Sequence, residues 1–491
     1  MGHITGTGRG QSVLFPATLD EYVGENNEVR VIAAFIEYLP FDELEFVRGE
    51  AAWTGRPGYD PRMLLGVYIW GHLNRMRSSR GLERECCRNV ELMWLSGMLQ
   101  PDFKTLCRFR AENGKAISKV LTQFRVLCNK AGLYGKELVA IDGSKFKAVN
   151  STHRNMTQGK LAKLIERERE SVNRYLAELD KADEADAQDE GVKTGLTAAE
   201  LKRKIAGIGE YLKEHEELLE EMKENGEKQR SETDPDARLM KTSKGMDVCY
   251  NIQTAVDSKH KLIVEVEVTN EAGDQELLPQ MAKAAKEGLG VEELTVVADG
   301  GYYGCEAIKA CEDENITAYV PVRESKDAEM RGVFPLTRFE YDPERDVYVC
   351  PTGAKLTAVS RGVKKARYSK EFLIYATKSC HGCPLRIQCT TSKTGRKIKR
   401  WVHHAVLDRL KARLRENPEI MRRRKALVEH PFGTIKVAMN HDRLLLKGIG
   451  KVGTEIKLTV LSYNLKRVMN ILGISAMIEM LKSGSLLPQP A

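Results

Sequence analysis

Two short apolar runs that each stop at Asp-Gly constrain this chain more than any other feature. They are Glu137-Leu-Val-Ala-Ile-Asp142-Gly143 and Leu294-Thr-Val-Val-Ala-Asp299-Gly300. Runs of this length bounded by glycine read as buried strands. A carboxylate just past a strand's C-terminal end projects into the crevice where open α/β sheets keep their ligands. The following glycines admit close approach by backbone or ligand. Singly, either Asp is a strand-to-loop cap; two in one sheet point to a shared site. Hard divalent cations take oxygen ligands of this kind.

The surrounding pattern extends the sheet. Strands are expected over 248–256 and 262–268, joined by the polar turn Asp257-Ser258-Lys259-His260, and again over 316–321. Helices are expected from Asp274 to 287 and over 303–312, 404–415, 418–438 and 452–472. Three antiparallel strands followed by alternating helices and strands give a mixed sheet with helices on both faces, an α/β chain in RNase-H-like order. Two insertions interrupt it. Residues 155–232 carry one apolar seam at Leu161, Ile165, Val172, Tyr175 and Leu179, and a second at Leu201, Ile205, Ile208, Leu212, Leu219 and Met222. This spacing reads as an antiparallel helical hairpin, with His215 a tolerated polar position on the seam. Residues 335–400 form the other insertion, which is rich in cysteine.

Residues 1–16 are Gly-rich and read as an arm. Residues 17–115 read as a helical domain. Asp60-Pro61 and Pro101-Asp102 are helix starts. In the helix after Asp102, Phe103, Leu106 and Phe109 turn inward, while Lys104 and Arg108 share the outer face. A helix with a basic outer face, with Arg110 at its end, suits a helix-turn-helix-like DNA reader or an ordinary bundle. The catalytic domain is expected over 116–154, 233–334 and 401–475, with a tail at 476–491.

Charge supports a polyanionic partner. The net charge is +8, with clusters at Arg422-Arg423-Arg424-Lys425 and Arg396-Lys397-Ile398-Lys399-Arg400. No run of 18 apolar residues occurs, and the first 25 residues hold no apolar signal core, so a cytoplasmic protein is expected. Its eleven cysteines are then expected to be reduced. Four of them, Cys350, Cys380, Cys383 and Cys389, fit either a structural Zn²⁺ site or free thiols. Gly448-Ile-Gly450-Lys-Val-Gly453 matches a dinucleotide fingerprint as text but lacks its βαβ context, so it is read as a loop before the last helix. No Walker A sequence occurs, and no nucleotide cofactor is expected.

A third carboxylate is expected from a helix. Arg424-Lys-Ala-Leu-Val-Glu429-His-Pro-Phe-Gly-Thr-Ile-Lys436 supplies one, with Lys425, Glu429 and Lys436 on a common face. Pro431 disfavours helical geometry at His430, so a kink or restart is expected there, with His430 as a cap.

Taken together these motifs resemble the DDE transposases of bacterial insertion sequences, in the branch with a Tyr–Arg–Glu–Lys signature. The likeness rests on Asp142-Gly-Ser-Lys, Tyr250-Asn-Ile-Gln-Thr-Ala-Val-Asp257, Asp299-Gly-Gly-Tyr-Tyr, Glu429 through Lys436, Tyr463-Asn-Leu-Lys-Arg467 and the segment from Pro101 to Arg110. Arg422 stands at the signature's Tyr and Lys425 at its Arg. The resemblance implies Asp142, Asp299 and Glu429 as catalytic ligands of Mg²⁺ or Mn²⁺. It also implies DNA contacts at Lys104, Arg108, Arg110, Arg422, Lys425 and Lys436. Implied partners are double-stranded DNA, as terminal inverted repeats and target, with a homo-oligomer assembled on it. Implied chemistry is hydrolysis at element ends followed by strand transfer. A nuclease of the same fold without strand transfer and a non-catalytic DNA-binding descendant are the alternatives.

Overall fold

The computed structural model describes residues 18–47, 58–187, 197–322, 330–364 and 370–483. The expected arm over 1–16 and residues 484–491 of the expected tail lie outside the described residues, while 476–483 of that tail belong to the helix Ile474–Ser483.

The described chain opens with helices: besides the single turns Leu19–Tyr22 and Phe41–Leu44, these are α1 (Glu28–Tyr38), α2 (Pro61–Leu73), α3 (Ser79–Cys86), α4 (Val90–Ser96), α5 (Phe103–Glu112) and α6 (Gly114–Lys130). Both expected starts are capped. The Asp60 carboxylate accepts from Arg62 N at 2.7 Å with Pro61 in the first turn, and Asp102 accepts from Thr105 N at 2.8 Å. α6 begins at Gly114. This helix buries Ile117, Val120, Phe124 and Leu127 in a core shared by the N-terminal helices and the sheet.

The sheet contains β1 (Leu138–Lys147), β2 (Arg238–Thr242), β3 (Gly245–Asp257), β4 (Ile263–Thr269), β5 (Leu294–Val297) and β6 (Ile316–Tyr319). Its order is β2-β3-β1-β5-β6, with β4 also on the outer edge of β3. β1 runs antiparallel to β3, with Asp142 opposite Thr254, and parallel to β5, with Ala140 beside Val297. Alternation decides the faces. Val139, Ile141 and Val296 pack into the large core that includes α9 (Leu277–Leu289). Leu138, Ala140 and Val297 instead pack against Leu427 and Val428 of α12 (Glu419–Gly433).

The expected hairpin is present as α7 (Gln158–Ala187) and α8 (Ala198–Glu224). Short strands Asn155–Thr157 and Gln229–Ser231 pair at its base, where Met156, Leu161 and Met222 form a small core. His215 is more than tolerated: its Nδ1 lies 3.0 Å from the Glu168 carboxylate across the seam. The second insertion is a five-stranded antiparallel sheet of β7 (Glu340–Asp342), β8 (Val347–Val349), β9 (Lys355–Lys364), β10 (Lys370–Ala376) and β11 (Ile398–Trp401), in that order. Trp401 and α11 (Ala405–Glu416) pack on Ile308 of α10 (Cys305–Asp313). Among the described residues no helix is long and apolar enough to cross a membrane.

α13 (Ile449–Leu472) and α14 (Ile474–Ser483) complete the described chain. The Gly448–Gly453 segment is not a loop: α13 begins at Ile449, so Gly450 and Gly453 lie inside its first turns. α13 explains the Tyr463–Arg467 motif. Asn464 pairs with both backbone groups of Ile263, at 2.9 and 2.8 Å, Tyr463 donates to Lys261 O at 2.8 Å, and Arg467 donates to His260 O at 2.8 Å. The motif thus clasps the β3–β4 turn.

The same helix carries Glu455, which is fully buried. Its carboxylate lies 2.8 Å from Arg77 Nη1 and 3.2 Å from His441 Nε2, and it accepts from Leu445 N and Leu446 N at 3.1 and 3.0 Å. Burial alone would raise its pKa; His441, Arg77 and Arg110 outweigh burial and hold it below the ordinary value. Glu455→Ala leaves the Arg77 guanidinium without its counter-charge and the Leu445 and Leu446 amides without an acceptor, and stability falls by about 3–5 kcal/mol. Chemical denaturation measures this; a loss under about 1 kcal/mol contradicts the assignment.

Candidate active site

Asp142 lies within β1, five residues before the strand ends, not beyond its end as the sequence suggests. The pairing with β3 continues to Lys147. The parallel partner β5 is shorter, stopping at Val297, and Asp299 follows that end as expected. A notch therefore opens beside β1 from Asp142 onward, and Asp299 stands in it. Its carboxylate turns back to accept from Gly301 N at 2.6 Å.

The two faces of β1 do different work here. On the α12 face, Asp142 accepts from Gly143 N at 3.0 Å and faces Arg424 Nη1 at 3.8 Å, an ion-pair distance. Arg424 Nη1 is buried and donates no hydrogen bond. Burial lifts the Asp142 carboxyl to about 6; Arg424 and the Gly143 amide oppose that rise, while Asp299 and Asp274 add to it. A half-buried carboxylate beside other acids, with its cation too far to donate, has the donor set and unmet charge that a divalent cation satisfies. Ser144, on the same face, accepts from Lys436 Nζ at 2.6 Å, and Lys145 O accepts from it at 2.8 Å.

On the opposite face is a residue that sequence reasoning read only as a helix start. Asp274 accepts from Asn251 Nδ2 at 2.7 Å, Gln253 Nε2 at 2.9 Å and Lys145 Nζ at 3.4 Å. Tyr302 donates to the other end of the Gln253 amide. This network ties the Asp299 loop to β3 and β1. Gly143 is required beneath it, because a Cβ there would collide with the Gln253 amide and lie 2.9 Å from Asn251 Oδ1. The available signal was the shared parity of Asn251 and Gln253 on one strand. It does not reveal the loop residue that meets them.

Glu429 is not brought to the two aspartates. It is 64% exposed and lies 3.8 Å from Lys425, an i,i+4 pair along α12. Five residues past Arg424, it points about 140° around the helix from the side that meets Asp142. The helix does not break at Pro431. It runs to Gly433 and passes into a π-helical turn, Thr434–Ala438. Lys425, Glu429 and Lys436 do not act from one face: Lys436 docks on β1, while Lys425 and Glu429 face solvent. His430 does not cap the helix end; its Nδ1 lies 3.2 Å from the Tyr463 hydroxyl. Among the described residues, no group of three or more His, Cys, Asp or Glu side chains is arranged to hold a metal ion.

The basic residues divide likewise. Lys104, Arg108, Arg422 and Lys425 are exposed. Arg110 is buried, with its guanidinium 5.4 Å from the Tyr68 ring centroid and donating to Arg77 O at 3.3 Å. It supports the core and offers no surface to DNA.

Residues 349–469 match the family described as "Transposase DDE domain", and residues 17–112 match "Transposase domain (DUF772)". The first span includes Glu429 and the four cysteines of the second insertion but neither Asp142 nor Asp299. No curated protein matches the chain. A solved structure titled "Cryo-EM structure of piggyBac transposase synaptic complex with hairpin DNA" aligns over 93% of this chain and 79% of that one, at 10% identity and a TM-score of 0.31.

Arg424 holds the Asp142 pKa down, so removing it must move that pKa up. In Arg424→Gln the Asp142 carboxyl titrates above about 6. A ¹³C carboxyl titration reads the midpoint directly. An unchanged or lower midpoint refutes the pairing.

Proposed function

The chain belongs to the DDE transposases, and on that premise we propose that it cuts insertion-sequence ends and joins them to target DNA with Asp142 and Asp299 at the chemical centre. The observation that carries this is the pair of acids at the notch between parallel β1 and β5, one with its carboxyl raised to about 6 by burial. The strand order β4-β3-β1-β5-β6, antiparallel then parallel, supports an RNase-H-like reading of the domain.

DDE transposases work with divalent metal. Asp142 and Asp299 would hold it as Mg²⁺ or Mn²⁺, and Glu429 is the expected third acid. When bound, such ions activate water and neutralise charge on the departing oxygen. Cleavage adds water to phosphorus and breaks the P–O3′ bond, leaving a 3′-hydroxyl at the element end. That hydroxyl then attacks a target phosphodiester and displaces the target's own 3′-oxygen. One phosphodiester replaces another, so no covalent enzyme–DNA intermediate is needed.

The chain's own residues position these reactants. Lys436 fixes the end of β1 through Ser144, and the Asp274 network fixes the Asp299 loop from behind. Arg424, with a buried and unpartnered N–H, is placed to receive a phosphate oxygen. Lys104, Arg108, Arg422 and Lys425 supply exposed charge for the DNA backbone. Bringing Glu429 to the aspartates requires α12 to turn, which withdraws Arg424 from Asp142. Two element ends call for two such sites in a homo-oligomer on DNA.

A joining assay with pre-cut ends tests this reading. Covalent joining is expected. Cleavage without joining favours the nuclease, and DNA binding with neither favours a non-catalytic descendant. Asp142→Ala and Asp299→Ala each lose several kcal/mol of transition-state stabilisation, at least about a thousandfold in rate, while DNA binding persists. Cleavage retained in both variants overturns the site. Glu429→Ala shows the same loss if α12 turns, and near-normal rates if it does not.

A further inference from the structure

The second insertion is a small sheet with few apolar residues to hold it. Its buried core is Phe339, Tyr348, Leu356, Tyr375 and Ile398. A unit of this size ordinarily needs a staple beyond its core. Four of the chain's eleven cysteines fall within its 66 residues, counted over 335–400.

The fold draws those four together from three places in the sequence. Cys350 follows β8 and opens a tight turn: its N–H donates to Ala354 O at 3.0 Å, and Gly353, at φ +80°, donates to Cys350 O at 2.8 Å. Cys380 closes a short turn after β10, Cys383 follows three residues later, and Cys389 ends the short helix Arg386–Cys389. All four line one cavity, floored by Phe339 and Leu356. The loop at Gly395, φ +90°, presses on this cluster so closely that a Cβ there would lie 2.7 Å from Cys380 Cβ. The other seven cysteines, Cys86, Cys87, Cys107, Cys128, Cys249, Cys305 and Cys311, are distributed elsewhere and are absent from this cavity.

From this convergence we infer that Cys350, Cys380, Cys383 and Cys389 bind one structural zinc ion. The side chains are not arranged at metal-holding spacing as they stand. Binding an ion requires the turns that carry these four thiols to close on the cavity they already line. Four thiolates make a closed tetrahedral site with no open position, so the ion is structural rather than catalytic. Binding one Zn²⁺ at four thiols releases four protons, with no change in oxidation state. Arg396, which donates to Cys389 O at 3.0 Å and sits over the Phe339 ring at 5.0 Å, offsets part of the resulting negative charge. The ion clamps the β8–β9 turn to the segment between β10 and β11, and so fixes the sheet that rests on α10 and α11. This inference is independent of the catalytic reading, because its readout is metal content.

The test is elemental analysis of the full-length chain, purified without chelator from zinc-containing medium. About one equivalent of zinc per chain is expected, falling to near zero in Cys380→Ser/Cys383→Ser and unchanged in Cys305→Ser. Because the double variant can misfold, Co²⁺ is also exchanged into the wild-type chain, where tetrahedral thiolate ligation gives intense visible and near-ultraviolet bands. Less than about half an equivalent of zinc in the wild type overturns the proposal. So does zinc retained in the double variant, octahedral Co²⁺ spectra, or a coloured preparation containing iron and labile sulfide.

Discussion

The contact on which the rest of the molecule depends is the buried carboxylate of Glu455. It sits on α13 and meets two other parts of the chain: Arg77 from the N-terminal helical region, and the segment after α12, through His441 and the amides of Leu445 and Leu446. Arg77 also donates to Asn440 O and Arg443 O, at 3.1 and 3.0 Å. Thr459, one turn along α13, bridges His72 and His441 at 3.0 and 2.7 Å. A charge taken out of water is tolerated only when its partners are correctly placed. Glu455 therefore demands that the helical domain, the end of the α12 segment and α13 adopt one mutual arrangement. Lys436 leaves that segment to pin β1, so the constraint reaches the candidate site.

β1 is loaded differently on its two faces, and this asymmetry defines the site. One face is buttressed by Asp274, Asn251, Gln253 and Tyr302, a closed set of hydrogen bonds that holds the Asp299 loop. The other is covered by α12, whose contact with Asp142 is a single ion pair at 3.8 Å. A satisfied polar network resists change, while a long ion pair on a helix followed by a π turn is easily exchanged. Pre-organisation thus resides behind the strand, and adjustability in front of it.

The short-range features were legible from residue type and spacing. The Asp-Pro and Pro-Asp helix starts, the strands around Asp142 and before Asp299, the long helical hairpin and the extent of α12 all follow from capping chemistry and apolar period. What was not legible depended on contacts between distant segments. Lys436 docks on Ser144 and Lys145 of β1, while Glu429 faces solvent. The buried position of Arg110 came from Tyr68, forty-two residues earlier in the chain. The role of Asp274 came from two amides on β3 that share a face only through strand pairing.

By itself, then, the sequence determined which residues carry charge beside strand ends, and where the chain changes from alternating to helical period, because both are local properties of side chain and backbone. Only the tertiary structure decided which carboxylates meet. Asp142 and Asp299 are neighbours because β1 and β5 are parallel partners and β5 is the shorter. Asp274 stands behind them because a loop returns across β3. Glu429 faces solvent because helical rotation gives Arg424 the position above Asp142. Those outcomes depend on packing faces and crossing strands, which no local pattern encodes.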